Sequence, residues 1–320
     1  MKLEDIGFYT LSDARALSSS ETSLLCRAEL IITSRCNFRC VYCRGLREDC
    51  NGDMPFDFAM ETLQHWINGN LQNVRFSGGE PTIYPRLSDL VKFCRDNGVK
   101  RIAISTNGSA PLDEYKNLVK NGVNDFSISL DGGCCAIGDA MAGVEGCWNT
   151  VVDNIREIAK MSYTTVGMVF TESNVGQCVD AVLFADSLGV SDIRVIPAAQ
   201  YNQALINLAS LSDGILAKYP ILRYRVNNVR SGCPVRGIGG CDSRRCNLCL
   251  DDMAVAGKWH FPCIIYLREG GNPIGKIGPQ MRYERANWNS IHDTHADMIC
   301  RKNCLDVCVA YNNMAERGAK

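Results

Sequence analysis

The chain is short of net charge, of histidine and of long hydrophobic runs, and each shortage closes off a class of function. Thirty-four Lys and Arg residues stand against 35 Asp and Glu, a formal net charge of -1. No overall field therefore draws the chain to nucleic acid or to an anionic membrane. No apolar run reaches membrane-spanning length, and the opening MKLEDIGFYTLSDARALSSS lacks the apolar region of a secretory signal. The four histidines, His65, His260, His292 and His295, share no metal spacing. The glycines of 270–278 are followed by no Lys-Ser/Thr pair, which excludes a phosphate loop; the segment reads as a hairpin turn. Cysteine is abundant instead, 18 residues in 320. With no signal region to suggest export and disulfides, the expectation is a cytoplasmic protein whose thiols are kept for metal.

The most informative stretch is TSRCNFRCVYC at 33–43, where Cys36, Cys40 and Cys43 fall at a C-x3-C-x2-C spacing. A 4Fe-4S cluster normally takes four cysteine thiolates, so three leave one iron open to a substrate or cofactor, as in catalytic metal sites. A zinc loop with a remote fourth ligand is the competing reading, but zinc ligands usually come as C-x2-C pairs.

With 46% hydrophobic and 22% charged residues, the chain can build one large core and a smaller appended domain. From residue 28 short β-branched runs alternate with amphipathic stretches, the pattern of βα units. Strands are expected near 28–33, 72–77, 100–105, 124–130, 164–170 and 191–196. Helices fall near 57–68, 86–97, 112–121, 147–160 and 175–188, with Gly98, Gly122 and Gly189 as C-cap signals. Six such units imply a partial (β/α)6 barrel of the TIM type, whose active site lies at the strand C-terminal ends. Residues 1–25 read as an N-terminal tail, 26–200 as the barrel, and 201–320 as a linker helix near 203–218 plus a cysteine-rich domain.

The cysteine spacing, with the aromatic Tyr42 before Cys43 and the strand AELIIT before the loop, resembles the radical S-adenosylmethionine superfamily. RFSGGEP at 75–81 strengthens the likeness. The resemblance implies that the open iron chelates S-adenosylmethionine, whose reductive cleavage yields a 5'-deoxyadenosyl radical. It further implies cofactor contacts from Tyr42, from Gly78, Gly79 and Glu80, and from strand-end groups at Ser105, Thr106, Asn107 and Ser129, with Ile196 against the adenine. Asp131, Glu172, Cys134 and Cys135 are candidates, by position alone, for catalytic or radical-quenching roles. Small loop residues or inert thiols are the plainer reading of the two cysteines.

The order CNLC at 246–249, KWHFPC ending at Cys263 and CRKNCLDVC at 300–308 resembles a SPASM/twitch extension carrying auxiliary 4Fe-4S clusters. Its last run is C-x3-C-x3-C, not the full SPASM pattern, so one auxiliary cluster is expected. Its ligands would come from Cys246 or Cys249, Cys263, and two of Cys300, Cys304 and Cys308. A second cluster on Cys233 and Cys241, or two zinc sites, remains open. The subgroup implies a peptide or protein side chain as substrate and an external electron donor such as flavodoxin or ferredoxin. The arginines of 218–247 suggest, as the alternative, a small molecule or nucleotide gripped by its phosphates, although a solvated face that steadies the cluster thiolates is their plainer reading; a non-catalytic iron-sulfur protein is the third functional reading. No membrane partner is expected.

Overall fold

In the computed structural model the structure describes residues 2–6 and 11–318. After α1 (Asp13–Leu17), six βα units follow in chain order: β1 (Arg27–Thr33) and α2 (Phe56–Asn68), β2 (Asn73–Gly78) and α3 (Leu87–Asp96), β3 (Arg101–Thr106) and α4 (Leu112–Asn121), β4 (Asp125–Ser129) with α5 (Cys135–Ala142) and α6 (Cys147–Ile158), β5 (Tyr163–Phe170) and α7 (Cys178–Asp186), then β6 (Asp192–Pro197) with α8 (Asp213–Lys218) and α9 (Pro220–Arg230). The remainder holds β7 (Asp252–Ala256), β8 (Trp259–Phe261), α10 (Ile264–Arg268), β9 (Gly275–Lys276), α11 (Met281–Ile291), α12 (Met298–Asn303) and α13 (Asp306–Gly318). The expected α/β class and all six strands are present within one or two residues. Gly98, Gly122 and Gly189 take φ of 79°, 127° and 74° just past their helices, a region glycine enters without steric cost.

The chain divides into two compact units. The first comprises residues 1–35, 44–102 and 236–320. Its strands run β2-β1-β7-β8-β9. β1 pairs in parallel with β2 through Leu30↔Phe76 and with β7 through Leu30↔Val255; β8 and β9 add antiparallel. Every residue of β7 is buried, as is every residue of β1 after Arg27, the continuous burial of strands covered on both faces. Ile31, Cys50, Ala254, Ala256, Phe261 and Leu267 form an apolar cluster. The second unit comprises 36–43 and 103–235, with β3, β4, β5 and β6 in parallel succession. Here α6 buries Val151, Val152, Ile155 and Ile158, a 3–4 spacing that places one apolar stripe toward the strands.

One local expectation is corrected and one filled in. Among the described residues of 1–25, α1 packs on α13, and Arg15 pairs with Asp251. The hairpin turn lies at Gly257 and Lys258 between β7 and β8, not at 270–278. That glycine segment instead leads from α10 into β9, because Trp259 pairs with Lys276 across the intervening helix. Among the described residues no helix is long and apolar enough to cross a membrane.

A methyl group at Gly79 would meet the Arg35 carbonyl oxygen at 2.1 Å, so the strands cannot close without backbone movement. Gly79→Ala should therefore destabilise the protein by about 1–3 kcal/mol, read as a lowered denaturation midpoint of the cluster-free chain; an unchanged midpoint would refute the close approach.

Candidate cysteine-bound cofactor sites

In the second unit, the loop bearing Cys36, Cys40 and Cys43 is laid against the end of α5. Arg39 N donates to Ala142 O at 2.8 Å and Val41 N to Met141 O at 3.1 Å. Phe38 N donates to Cys36 Sγ at 3.4 Å, and Asn107 Nδ2 donates to Asn37 Oδ1 at 2.8 Å while lying 4.0 Å from the same sulfur. The strand ends clamp the other side. Tyr42 OH donates to Asp131 Oδ2 at 2.6 Å, Val169 N donates to Asp131 Oδ1 at 2.7 Å, and Asn174 Nδ2 donates to the Asp131 carbonyl at 2.8 Å. Burial raises the Asp131 carboxyl to about 6 despite these bonds. Burial pushes the Cys40 thiol up to about 12, and Asp131, Cys43 and Cys36 push in the same direction. Three thiols and a carboxyl thus crowd one place with no cation among the causes that shift Cys40, a donor set that a metal cluster would complete.

Other predicted residues of this unit divide between lining and support. Glu172, Tyr42 and Thr171 border a cavity of about 260 Å³ together with Val41, Ala198 and Tyr201. Ser129 and Asp131 line a smaller one with Phe38 and Cys40, and Ile196 pairs with Val169 on β6. Thr106 is committed to the fold, its hydroxyl 3.1 Å from Tyr115 OH and accepting from Gly108 N. Ser105 lies beside it, half-buried, on β3. Cys134 and Cys135 sit exposed at the start of α5.

In the first unit, the Gly78-Gly79-Glu80 turn is held by Gly79 N to Thr33 O at 2.7 Å and Glu80 N to Arg35 O at 2.8 Å. The buried Glu80 carboxylate accepts from Thr82 N and Oγ1 at 3.1 and 2.7 Å. The same unit gathers the C-terminal cysteines. Cys246, Cys263, Cys300, Cys304 and Cys308 line one cavity with Pro262, Ile265, Tyr266, Trp288 and Leu305. Cys249 lies fully buried and is hydrogen-bonded by Cys246. Burial works against ionisation of Cys249, but the Cys246 bond and the Arg285 charge prevail and its pKa is lowered; the bond from Cys304 likewise lowers Cys308. Cys241 is exposed and lies outside that lining, and Cys233, in the other unit, is exposed too.

Five sulfurs, those of Cys246, Cys263, Cys300, Cys304 and Cys308, thus face one cavity. Beside it His292, Asp297 and Cys300 bring three ligand atoms together, but this set is not a vacant cation cage: Asp297 accepts from Cys300 N and Tyr266 OH, both at 2.8 Å. His292 stacks on Trp288 at 3.9 Å and brings Nε2 to 3.5 Å from Cys300 Sγ, which orients the thiol.

Sequence spacing missed two organising residues. His292 was one, since it precedes Cys300 from a different helix. Arg285 is the other: wholly buried, it donates to the carbonyls of Cys249 at 2.7 Å, Phe261 at 3.0 Å, Pro262 at 3.3 Å and Asp252, and to His260 Nδ1 at 3.2 Å. One guanidinium thereby ties the turn at Cys249 to the residue before Cys263. The basic residues of 218–247 are held within each unit. Lys218 pairs with Asp186, Arg230 with Asp213 and Arg244 with Asp293, while Arg223, Arg236 and Arg245 donate to carbonyls and Arg225 is wholly buried. These groups are engaged with their own chain, in keeping with the plainer reading of a supporting, partly solvated face.

Residues 30–184 match the family model described as the Radical SAM superfamily. A tungsten-containing aldehyde ferredoxin oxidoreductase cofactor-modifying protein of Pyrococcus furiosus is 32% identical over 65% of this chain and 61% of its own length. A GTP 3',8-cyclase of Synechococcus elongatus is 32% identical over 32% of this chain and 33% of its own. The chain thus spans less than two thirds of the length of these relatives. Among solved structures, anSMEcpe with bound AdoMet has a TM-score of 0.63 at 14% identity, covering 92% of this chain and 96% of that one. Streptococcus suis SuiB bound to S-adenosylmethionine has 0.59 at 14%, covering 83% and 64%. Both likenesses are of fold.

His260 offers a test of the Arg285 network. Arg285 occupies Nδ1, so Nε2–H donates to Glu284 Oε2 at 3.0 Å, and burial followed by the Arg285 charge lowers its pKa to about 3. The unfolded chain, near 6.5, binds the proton first. The stability His260 contributes is therefore full above about pH 6.5 and lost as pH falls toward 3, with a slope up to about 1.4 kcal/mol per unit. Denaturant titrations of His260→Gln should show a flatter acid limb than wild type between pH 6.5 and 4.5; parallel limbs would refute the buried neutral imidazole.

Proposed function

From the match of residues 30–184 to the radical SAM superfamily model, we propose that this chain is a radical SAM enzyme that holds a 4Fe-4S cluster on Cys36, Cys40 and Cys43 and uses S-adenosylmethionine to start radical chemistry. When bound, these groups supply a one-electron reductive cleavage and a 5'-deoxyadenosyl radical that takes hydrogen from the substrate. The observation that carries the reading is the clamped cysteine loop, with three thiols beside a buried carboxyl and Tyr42 fixed on Asp131. Glu80 supplies a buried carboxylate for an ammonium group, Asn107 and Ser129 offer polar groups at strand ends, and Ile196 offers an apolar one. Asp131 and Glu172 are the candidate acid–base groups, and Cys134 and Cys135 the candidate hydrogen donors. We assign this chemistry to residues 26–200.

Residues 201–320 we assign to one auxiliary 4Fe-4S cluster, with four ligands drawn from Cys246, Cys249, Cys263, Cys300, Cys304 and Cys308. Their common cavity supports this. The electron enters from an external donor of the flavodoxin or ferredoxin kind. For the substrate we propose a peptide or protein side chain, since the arginines that suggested a phosphate grip are engaged within the chain. The second reading, a small molecule or nucleotide, is favoured by the sequence likeness to GTP 3',8-cyclases.

Anaerobically reconstituted protein should carry about eight irons, four per cluster, and on reduction with S-adenosylmethionine release 5'-deoxyadenosine and methionine. Cys40→Ala should abolish both products and leave about four irons. A wild-type value near four sinks the auxiliary cluster, and neither product from a fully loaded protein sinks the enzyme. Labelled peptide and nucleotide pools then separate the two substrates, because only a phosphate-bearing ligand should weaken steeply with salt.

A further inference from the structure

Within the first unit, one short helix begins at an auxiliary cysteine and ends on the glycine turn. The N-cap of α10 is Cys263, whose Sγ lines the cysteine cavity and accepts from Tyr266 N at 3.4 Å. Its last residue, Arg268, reaches the other way. Nη2 donates to the Gly78 carbonyl at 2.6 Å and Nη1 to the Gly45 carbonyl at 3.0 Å. Gly78 opens the Gly78-Gly79-Glu80 turn, and Gly45 follows Cys43 by two residues in the sequence. Adjacent contacts repeat the link: Arg44 pairs with Glu269, Arg47 Nη1 donates to Gly271 O at 3.0 Å, and Leu46 shares an apolar cluster with Leu267.

We propose that Arg268 is a positioning residue for S-adenosylmethionine, and that α10 makes the geometry of its binding turn depend on whether a cluster is held at Cys263. This rests on the functional reading above, in which the turn binds the cofactor and Cys263 binds iron. The physical argument concerns stiffness. Five residues are too few to form a stable helix alone, so α10 keeps its place through its tertiary contacts: Tyr266 on Asp297, Leu267 in the apolar cluster, and its two ends. An iron–sulfur bond at Cys263 fixes the first end. The second end then presents a planar fork to two carbonyls at once, which a lysine's single ammonium cannot match. A turn held by that fork is already arranged for the ligand, which avoids the cost of ordering it on binding. Coupling of this kind is reciprocal: bound S-adenosylmethionine slows the loss of auxiliary iron to a chelator.

The test is a double-mutant cycle on anaerobically reconstituted full-length protein, with S-adenosylmethionine affinity measured by equilibrium dialysis, iron by analysis and the clusters by EPR. Arg268→Met should weaken affinity about tenfold, the scale of one charge-assisted hydrogen bond, while iron stays near eight and the auxiliary EPR signal is unchanged. Cys263→Ala, losing about four irons, should weaken it to a similar degree. The double variant should be no weaker than either single one, as two changes in one chain of contacts require, and Arg268→Lys should fall between Arg268→Met and wild type. Wild-type affinity in both Arg268 variants, or losses that multiply in the double variant, overturns the coupling. A wild-type protein that holds eight irons but binds no S-adenosylmethionine overturns the functional reading and the proposal together. If Arg268→Met fails to load iron, Arg268→Lys decides by the same affinity criterion.

Discussion

The parallel pairing of β7 with β1 is the constraint on which the first unit depends. A strand contributed from residue 252 onward lies beside one that ends at Thr33, opposite the edge that takes β2. The cysteine-rich segment thereby extends the first unit's sheet beyond β1. Closing a loop of more than two hundred residues carries an entropy cost that grows only slowly with length. The buried strand and the apolar cluster around Ile31 and Phe261 repay it. Arg27 and Asp252, partners in register and 3.5 Å apart, mark where the pairing begins.

Once β7 is in place, the cysteines still have to face one cavity, and that alignment rests on a buried cation. An uncompensated guanidinium in the interior is costly. Arg285 is compensated by backbone carbonyls on both sides of the cavity, so its removal would release the Cys249 turn and the approach to Cys263 together. Arginine suits the position because its planar donors reach several carbonyls in fixed directions. His260 and Glu284 extend the same network to α11.

The second unit handles its cysteines differently. Its three thiols lie on an irregular loop, with Cys43 exposed, and rigidity comes from strand ends gripping the loop through Tyr42 and Asp131. The triad is partly exposed, whereas the C-terminal cysteines are set among apolar side chains. Exposure and hydrogen bonding govern the potential of an iron-sulfur cluster, so the two environments would differ in the way the two proposed roles require.

Much of this was legible in the sequence. The six strands, the capping glycines and the cysteine triplet follow from alternation, from positive-φ positions and from spacing, all of which act over a few residues. The strand β7 was not legible: DMAVA is too short to announce a partner more than two hundred residues away. The hairpin was misplaced because glycines 270 and 271 look like a turn, whereas the chain turns at Gly257. Basic residues that read as a ligand grip are paired with acidic side chains or bonded to carbonyls of their own chain, a distinction only their neighbours can make. The sequence by itself determined the βα rhythm and the chemistry of three thiols on one loop, because those depend on local period and spacing. Only the tertiary structure decided which distant cysteines share a cavity, that Arg285 and His292 orient them, and that Arg268 reaches from that cavity's helix to the glycine turn. Each of those contacts joins segments tens to hundreds of residues apart, where burial and hydrogen-bond satisfaction act and periodicity does not.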